Sequence, residues 1–185
     1  GERRQPGEHG IESRCLTGRE RTEANWDRLF DYDVDTGARK WGRAYLTRAF
    51  FALGGERMGE DILLVLASRQ GREIAGALNL IGSDTLYGRY WGAVEDHPFL
   101  HFEVCYYQAI DFAISRGLAR VEAGAQGPHK LARGYVPQVT HSAHFIADPA
   151  LRDAIARFLA EEERQIDFEN ELLAAHAPFR RDSGD

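Results

Sequence analysis

The chain has 185 residues, 43% of them hydrophobic, with a formal net charge of -6 and a pI near 5.7. That length supports one well-cored domain and is short for two. The acidic balance excludes a surface built to coat DNA or RNA, so any tRNA contact has to be local, and no run approaches the ~18 apolar residues that a membrane span needs.

Residues 1–10 are charged and glycine-rich with little to bury, and read as a frayed end or the remnant of a missing amino-terminal half. Ile11 to Leu16 predicts an edge strand. Thr22 is placed to cap a helix whose apolar stripe is Trp26, Leu29, Phe30 and Val34. A second helix is expected from Gly42, Tyr45, Leu46, Ala49, Phe50 and Leu53, with Gly54 and Gly55 ending it. From Ile62 the period changes. Ile62 to Ala67 is a continuous apolar run suited to a strand buried on both faces, and glycine-bearing turns then lead into Glu73 to Ile81 and Thr85 to Ala93, giving a three-stranded meander. Glycines 76, 88 and 92 fall inside strand patterns, where they mark a bulge or a close backbone approach.

Pro98 predicts the start of a helix with the stripe Phe102, Cys105, Tyr106, Ala109, Ile110 and Ala113, closed by Gly117. A strand through Val121, a turn, a strand from Thr140 to Ile146 and a helix opened by Asp148 and Pro149 complete an α/β (α+β) order. Residues 11–147 are expected to be the domain, with the helix of 148–178 packed on it. Cys15 and Cys105 are too few for a disulfide framework and read as reduced packing residues, which with the absence of a signal-peptide pattern suggests a cytoplasmic setting.

The chemistry concentrates between Arg120 and Tyr135. Val121 and Glu122 bring a carboxylate to a strand end, Gly124, Gly127 and Pro128 force a turn, and His129, Lys130 and Arg133 follow at once. If Pro128 opens a helical turn, His129 and Arg133 share a face and Lys130 adjoins it, so cations meet an acid. The alternative is a tight connection with solvated charges. Histidines do not add a metal site: His101 and Glu103 point to different faces of a helix, and His141 and His144 to opposite sides of a strand. Serine-nucleophile elbows, Walker loops, zinc-finger spacings and dinucleotide fingerprints are absent.

Glu122-Ala-Gly-Ala-Gln-Gly-Pro-His-Lys-Leu-Ala-Arg-Gly-Tyr135, Thr-Leu-Tyr-Gly-Arg-Tyr-Trp-Gly (85 to 92) and Leu-His-Phe-Glu-Val-Cys-Tyr-Tyr-Gln-Ala-Ile (100 to 110) together resemble the predicted bacterial N-acyltransferases related to the Fem-type peptidoglycan-bridge aminoacyl ligases. The resemblance runs from about Gly10 to Arg181. It implies the acetyltransferase-like (GNAT) fold, a mixed central sheet flanked by helices with a long carboxy-terminal helix. Members of that family are about twice this long, so the chain is expected to be the carboxy-terminal half; its single methionine is Met58.

The resemblance also implies a chemistry. A donor, acyl-CoA or aminoacyl-tRNA, would lie where two parallel strands part, here Thr85 to Ala93 and Arg120 to Ala123, and would acylate an amine on a small-molecule acceptor. Glu122 is the expected base, with His101 or His141 as a proton shuttle in the acceptor site. Gly124, Gln126, Gly127, His129, Lys130, Arg133 and Tyr135 are expected to hold the carrier's phosphates, and Tyr90 and Trp91, with Tyr87, to wall the acceptor. The run Gln126 to Gly134 carries only fragments of the coenzyme A phosphate-loop pattern, while Lys130 matches in outline a lysine of the Fem-type ligases. The rival reading is a non-catalytic module that keeps the fold and recognises an anion.

Overall fold

The computed structural model describes residues 1–39, 46–124 and 128–175. The chain clusters into two compact units, Gly1–Ala125 and Gln126–Asp185.

The first unit is built on five strands, β1 (Ile11–Leu16), β2 (Ile62–Arg69), β3 (Arg72–Ile81), β4 (Thr85–Ala93) and β5 (Arg120–Glu122), in that spatial order. β1 to β4 pair antiparallel, and β5 alone runs parallel to its neighbour. The interior strand β2, second in the order, is buried from Ile62 to Ala67, as its uninterrupted apolar run requires. Its odd residues Leu63, Val65 and Ala67 pack with Ala75, Ala77, Leu86, Leu100, Val104, Ala109 and Phe112. Its even residues Leu64 and Leu66 pack with Trp26, Leu29, Phe51 and Leu78. The sheet is therefore covered on both faces. Gln70 and Gly71 turn β2 into β3 with both residues at positive φ, the conformation a two-residue type I′ hairpin demands.

Helices α2 (Glu23–Arg39) and α3 (Arg48–Arg57) cover one face. α2 starts directly after Thr22, but the side chain that closes this end is Asn25, whose Oδ1 accepts from the Thr22 backbone N–H at 2.8 Å and from the Thr22 hydroxyl at 3.0 Å. For the second helix the expectation needs correction. Gly42 and Tyr45 lie outside the described residues, the helix opens at a Thr47 cap, and it runs through Gly54 and Gly55 to Arg57. A Cβ on Gly55 would stand 2.7 Å from the Trp26 indole, so glycine is there to let two helices touch rather than to end one. The stripe is also rephased: Phe51 is the buried ring, while Phe50 is exposed.

The opposite face is covered by one helical run: α4 (Leu100–Phe102), a π-helical stretch Glu103–Tyr107, and α5 (Gln108–Arg116). It begins two residues beyond Pro98 and ends at Gly117, whose φ of 68° and whose follower Leu118, donating to Ala113 O, form the expected cap. Residues 1–10, expected to fray, instead form a 3₁₀ turn at Glu2–Arg4 and helix α1 (Gln5–Glu8). Arg3 reaches Asp111 at 2.5 Å and Glu103 at 3.5 Å, and the Tyr107 hydroxyl donates to Glu2 at 2.7 Å. These partners lie a hundred residues away, which no local window reveals.

In the second unit, Pro128–Arg133 form a 3₁₀ turn and α6 (Pro149–Ala175) a 27-residue helix. Asp148 Oδ1 accepts from the Leu151 N–H at 2.8 Å, the cap anticipated from Asp148-Pro149. The strand expected from Thr140 to Ile146 is not formed: these residues carry no ladder pairing, and Phe145 is 90% exposed. An extended run needs a partner strand, and the described part of this unit holds none.

Candidate functional site

The parallel pairing of β4 with β5 covers three steps only: Thr85 with Arg120, Leu86 with Val121, and Tyr87 with Glu122. β4 then continues for six residues beyond its pairing with β5, against β3 on its other side. At the same point its antiparallel register with β3 shifts, Leu78 facing Tyr90 and Asn79 facing Gly88, which leaves Arg89 as the extra residue of a bulge. A bulge bends its strand and strengthens its twist. The two parallel strands consequently fork just beyond Tyr87 and Glu122, with Gly88 in the notch. The Glu122 carbonyl oxygen lies 3.3 Å, and Ala123 Cα 3.8 Å, from where a Gly88 side chain would begin.

The bulge also sorts side chains by face. Leu86, Trp91 and Ala93 pack towards α4 and α5, and Tyr90 packs with Phe51 and Leu64 towards α2 and α3. Val121 faces the former side, so by alternation the exposed Glu122 and its register partner Tyr87 face the latter. Tyr87 and Tyr90 thus stand on the face of Glu122. Trp91 does not: it is on the opposite face, and the single aromatic wall expected from Tyr87, Tyr90 and Trp91 is divided by the sheet.

Trp91 instead meets His101. Their rings are 5.1 Å apart, edge to face, and both line a cavity of about 430 Å³ with Ala93, Glu95, His97 and Phe99, at the junction of β4 and α4. Glu95 accepts a hydrogen bond from His97 at 2.8 Å, which, with Arg69 at 3.6 Å, holds its carboxyl below the usual carboxylate range. The turn after β4 therefore carries two carboxylates, Glu95 and Asp96, where a diphosphate would favour cations. The sequence signal was available, since both acids stand directly between a strand and a helix. Among the described residues no group of three His, Cys, Asp or Glu is placed to hold a metal ion.

The remaining expected residues divide between the units. Gly124, with φ of 71°, closes the described part of the first unit beside β5. Gln126 and Gly127 lie outside the described residues. His129, Lys130 and Arg133 do share one turn in the second unit, where an Arg133 guanidinium N–H donates to the His129 carbonyl at 2.6 Å and the Tyr135 N–H to the Lys130 carbonyl at 3.2 Å. Partial burial lowers the Lys130 pKa from its ordinary value. Tyr135 is half-buried, and His141 is exposed in the unpaired stretch before α6. The cysteines are both free; burial pushes Cys15 up to about 11 and Cys105 higher still, which suits packing rather than nucleophilic use.

A mixed sheet whose parallel strands fork behind a bulge, covered by helices on both faces, is an acetyltransferase-like scaffold. Solved structures agree on the fold. An aminoglycoside acetyltransferase from an uncultured soil metagenomic sample, in complex with sisomicin, superposes with a TM-score of 0.51 at 12% identity, covering 75% of this chain and 98% of that one. A probable acetyltransferase gives 0.53 at 12% identity over 74% and 99%, and the ribosomal-protein-alanine N-acetyltransferase of Brucella melitensis biovar Abortus 2308 gives 0.50 at 11% over 76% and 100%. A search of curated proteins finds no match. The family model FemAB-like, described as peptidoglycan biosynthesis/recognition, matches residues 1–181, and the chain belongs to that family.

Proposed function

We propose that this chain is an N-acyltransferase domain that holds an activated acyl or aminoacyl group at the fork of β4 and β5 and passes it to an amine, with a cell-wall precursor as the acceptor and a cytoplasmic setting. The observation that carries this reading is the fork itself. Three paired residues, then a bulge, end the parallel pairing of β4 with β5, and the exposed Glu122 carboxylate stands where it ends.

In the reaction, the amine nitrogen attacks the acyl carbonyl and a C–N bond forms. The carbonyl oxygen carries the developing negative charge until the bond to the carrier's sulfur or ribose oxygen breaks, and the leaving group departs with a proton. Glu122 accepts the proton that the attacking nitrogen sheds, directly or through water. Tyr87, on the adjacent strand and the same face, and Tyr90 flank the acceptor's approach. Within the second unit, Lys130 and Arg133 are proposed as contacts to phosphate. No described helix is long and apolar enough to cross a membrane.

Calorimetric titration with acetyl-CoA and with alanyl-tRNA tests the reading, and binding of neither removes it. With the donor known, Glu122→Gln should lower turnover by roughly 10²–10⁴-fold while the fold persists. A turnover indifferent to Glu122→Gln and to Lys130→Ala would favour the alternative, an anion-recognition module without catalysis.

A further inference from the structure

The cavity between the end of β4 and the head of α4 holds about 430 Å³, a size that suits a small molecule, and nothing in the proposed reaction occupies it. Its walls are of two kinds. One is aromatic: the Trp91 indole meets the His101 ring edge to face at 5.1 Å, His101 stands 5.6 Å from Phe102, and Phe102 6.1 Å from Phe99. The other is acidic, because Glu95 and Asp96 line the cavity and none of the described lining residues is a lysine or an arginine. Glu95 is steadied by His97 at 2.8 Å and by Arg69 at 3.6 Å, yet both contacts fall on Oε2 and Oε1 takes part in neither. Arg69 offsets the charge of Glu95, and the exposed Asp96 supplies the net negative charge of the wall. Phe99 joins this wall in the left-handed conformation, with φ of 62°, which a residue bearing a side chain rarely adopts. Strain of that kind persists only where the surroundings over-determine it, and it gathers at ligand sites.

Carboxylates and aromatic ring faces share one electrostatic sign. Both repel an anion and both attract a cation, and rings beside an acid are a recurring way to recognise an organic ammonium. Among the described residues no group of three ligating side chains is placed for a metal ion, so the set fits an organic cation better. A primary ammonium also carries N–H donors for carboxylate oxygens, which a quaternary one lacks. We propose that this cavity binds a small primary amine in its charged form, its ammonium donating to Glu95 Oε1 and Asp96 and its carbon chain lying against the rings of Trp91, Phe99 and His101. Trp91 faces α4 and α5 whereas Glu122 faces the other side of the sheet, so this amine is not the one whose proton Glu122 accepts. The assignment stands apart from the acyl-transfer reading and survives its failure.

The test is calorimetric titration of the whole chain at pH 8 with pentylamine, which is charged there, and with two controls of the same chain length, pentanol and pentanoate. Saturable binding of pentylamine is expected, with the alcohol and the acid weaker by roughly 10-fold or more. Asp96→Asn, a change at an exposed position, should raise the pentylamine Kd by roughly 10-fold. Phe99→Gly removes a ring at a backbone angle that glycine adopts freely, and should raise it by about 3-fold or more. Glu56→Gln removes the same charge from α3, on the opposite face of the sheet, and should leave the Kd as in wild type. Absence of saturable pentylamine binding overturns the proposal, and so does equal binding of pentanol, which would make the cavity a merely apolar one. A Kd that Asp96→Asn leaves unchanged, or that Glu56→Gln raises as much as Asp96→Asn does, puts the amine elsewhere and overturns it too.

Discussion

The two units contrast in how they are held. In the first, most large core residues belong to a cluster pressed against one face of the sheet, and Leu63, Leu64, Val65, Ala67, Ile74, Ala75, Leu86 and Val104 are fully buried. In the second, no described residue is fully buried, and α6 shows Leu151, Phe158, Leu159, Ile166 and Phe168 between 44% and 63% exposed. Yet the second unit carries half of the segment that looked most chemical in the sequence. Burial and chemical suggestiveness are separate properties of a chain. Packing fixes the fork to within a hydrogen bond, while the cations of the turn Pro128–Arg133 are held by local bonds such as that from Arg133 to the His129 carbonyl.

The largest effect that could break this contrast is a pair of truncations. Leu64→Ala should destabilise the chain by ~2–5 kcal/mol, because a fully buried leucine leaves both a transfer loss and a cavity, whereas Phe158→Ala should change stability by less than about 0.5 kcal/mol. Chemical denaturation measures both, and equal losses would show that α6 is packed as firmly as the sheet. A smaller change sharpens the account of the first unit. A Cβ on Gly92 would lie 2.5 Å from the Tyr32 carbonyl oxygen, so Gly92→Ala must push α2 off the sheet and should cost ~1–3 kcal/mol in the same measurement.

The smallest effect concerns the second unit and pH. Desolvation disfavours the charged form of Lys130, so its folded pKa lies below the unfolded value of 10.5. The unfolded chain therefore binds that proton more readily, and the stability cost is present below the folded pKa and relieved as pH rises towards 10.5. For a phosphate-bearing donor the sign is opposite, since the protonated lysine is the one that binds. Affinity should fall as pH rises through the Lys130 pKa, at a lower pH than for an ordinary lysine. Lys130→Arg should flatten the profile, as arginine keeps its charge; calorimetry across pH 7 to 10 reads both.

Much of the first unit was legible because its signals are local. The continuous run from Ile62, the turn glycines and the alternation of β3 and β4 gave the meander, and β1 fell at Ile11–Leu16 as its pattern suggested. The Asp148 cap was equally readable, being side-chain chemistry within three residues. What escaped depends on neighbours distant in sequence. Gly54 and Gly55 looked like a stop because nothing in their window shows Trp26. Thr140 to Ile146 looked like a strand because alternation is silent about whether a partner exists. Of the candidate site, the parallel pairing of 85–93 with 120–123 was implied by the family resemblance and is present over three residues, whereas the placing of Trp91 on the face opposite Tyr90 follows from neighbouring residues on one strand. Asn79 lies unremarked within Glu73 to Ile81, and only the cross-strand register puts it opposite Gly88.

The stripe of the helix over the sheet was read in part: Tyr106, Ala109 and Ala113 are buried and Cys105 packs against the core, while Leu100, Val104 and Phe112 were left out of it. Leu100, Val104, Ala109 and Phe112 face inward, a sequence of steps in which one interval is five residues, and that long interval coincides with the π-helical stretch Glu103–Tyr107. A wider turn admits one more residue without rotating either end away from its contact. Deleting Cys105 would therefore be expected to leave a straight, docked cylinder that lacks the widened coil, which makes the stretch a removable insertion whose loss can be tested separately from the stability of the layer it rests on.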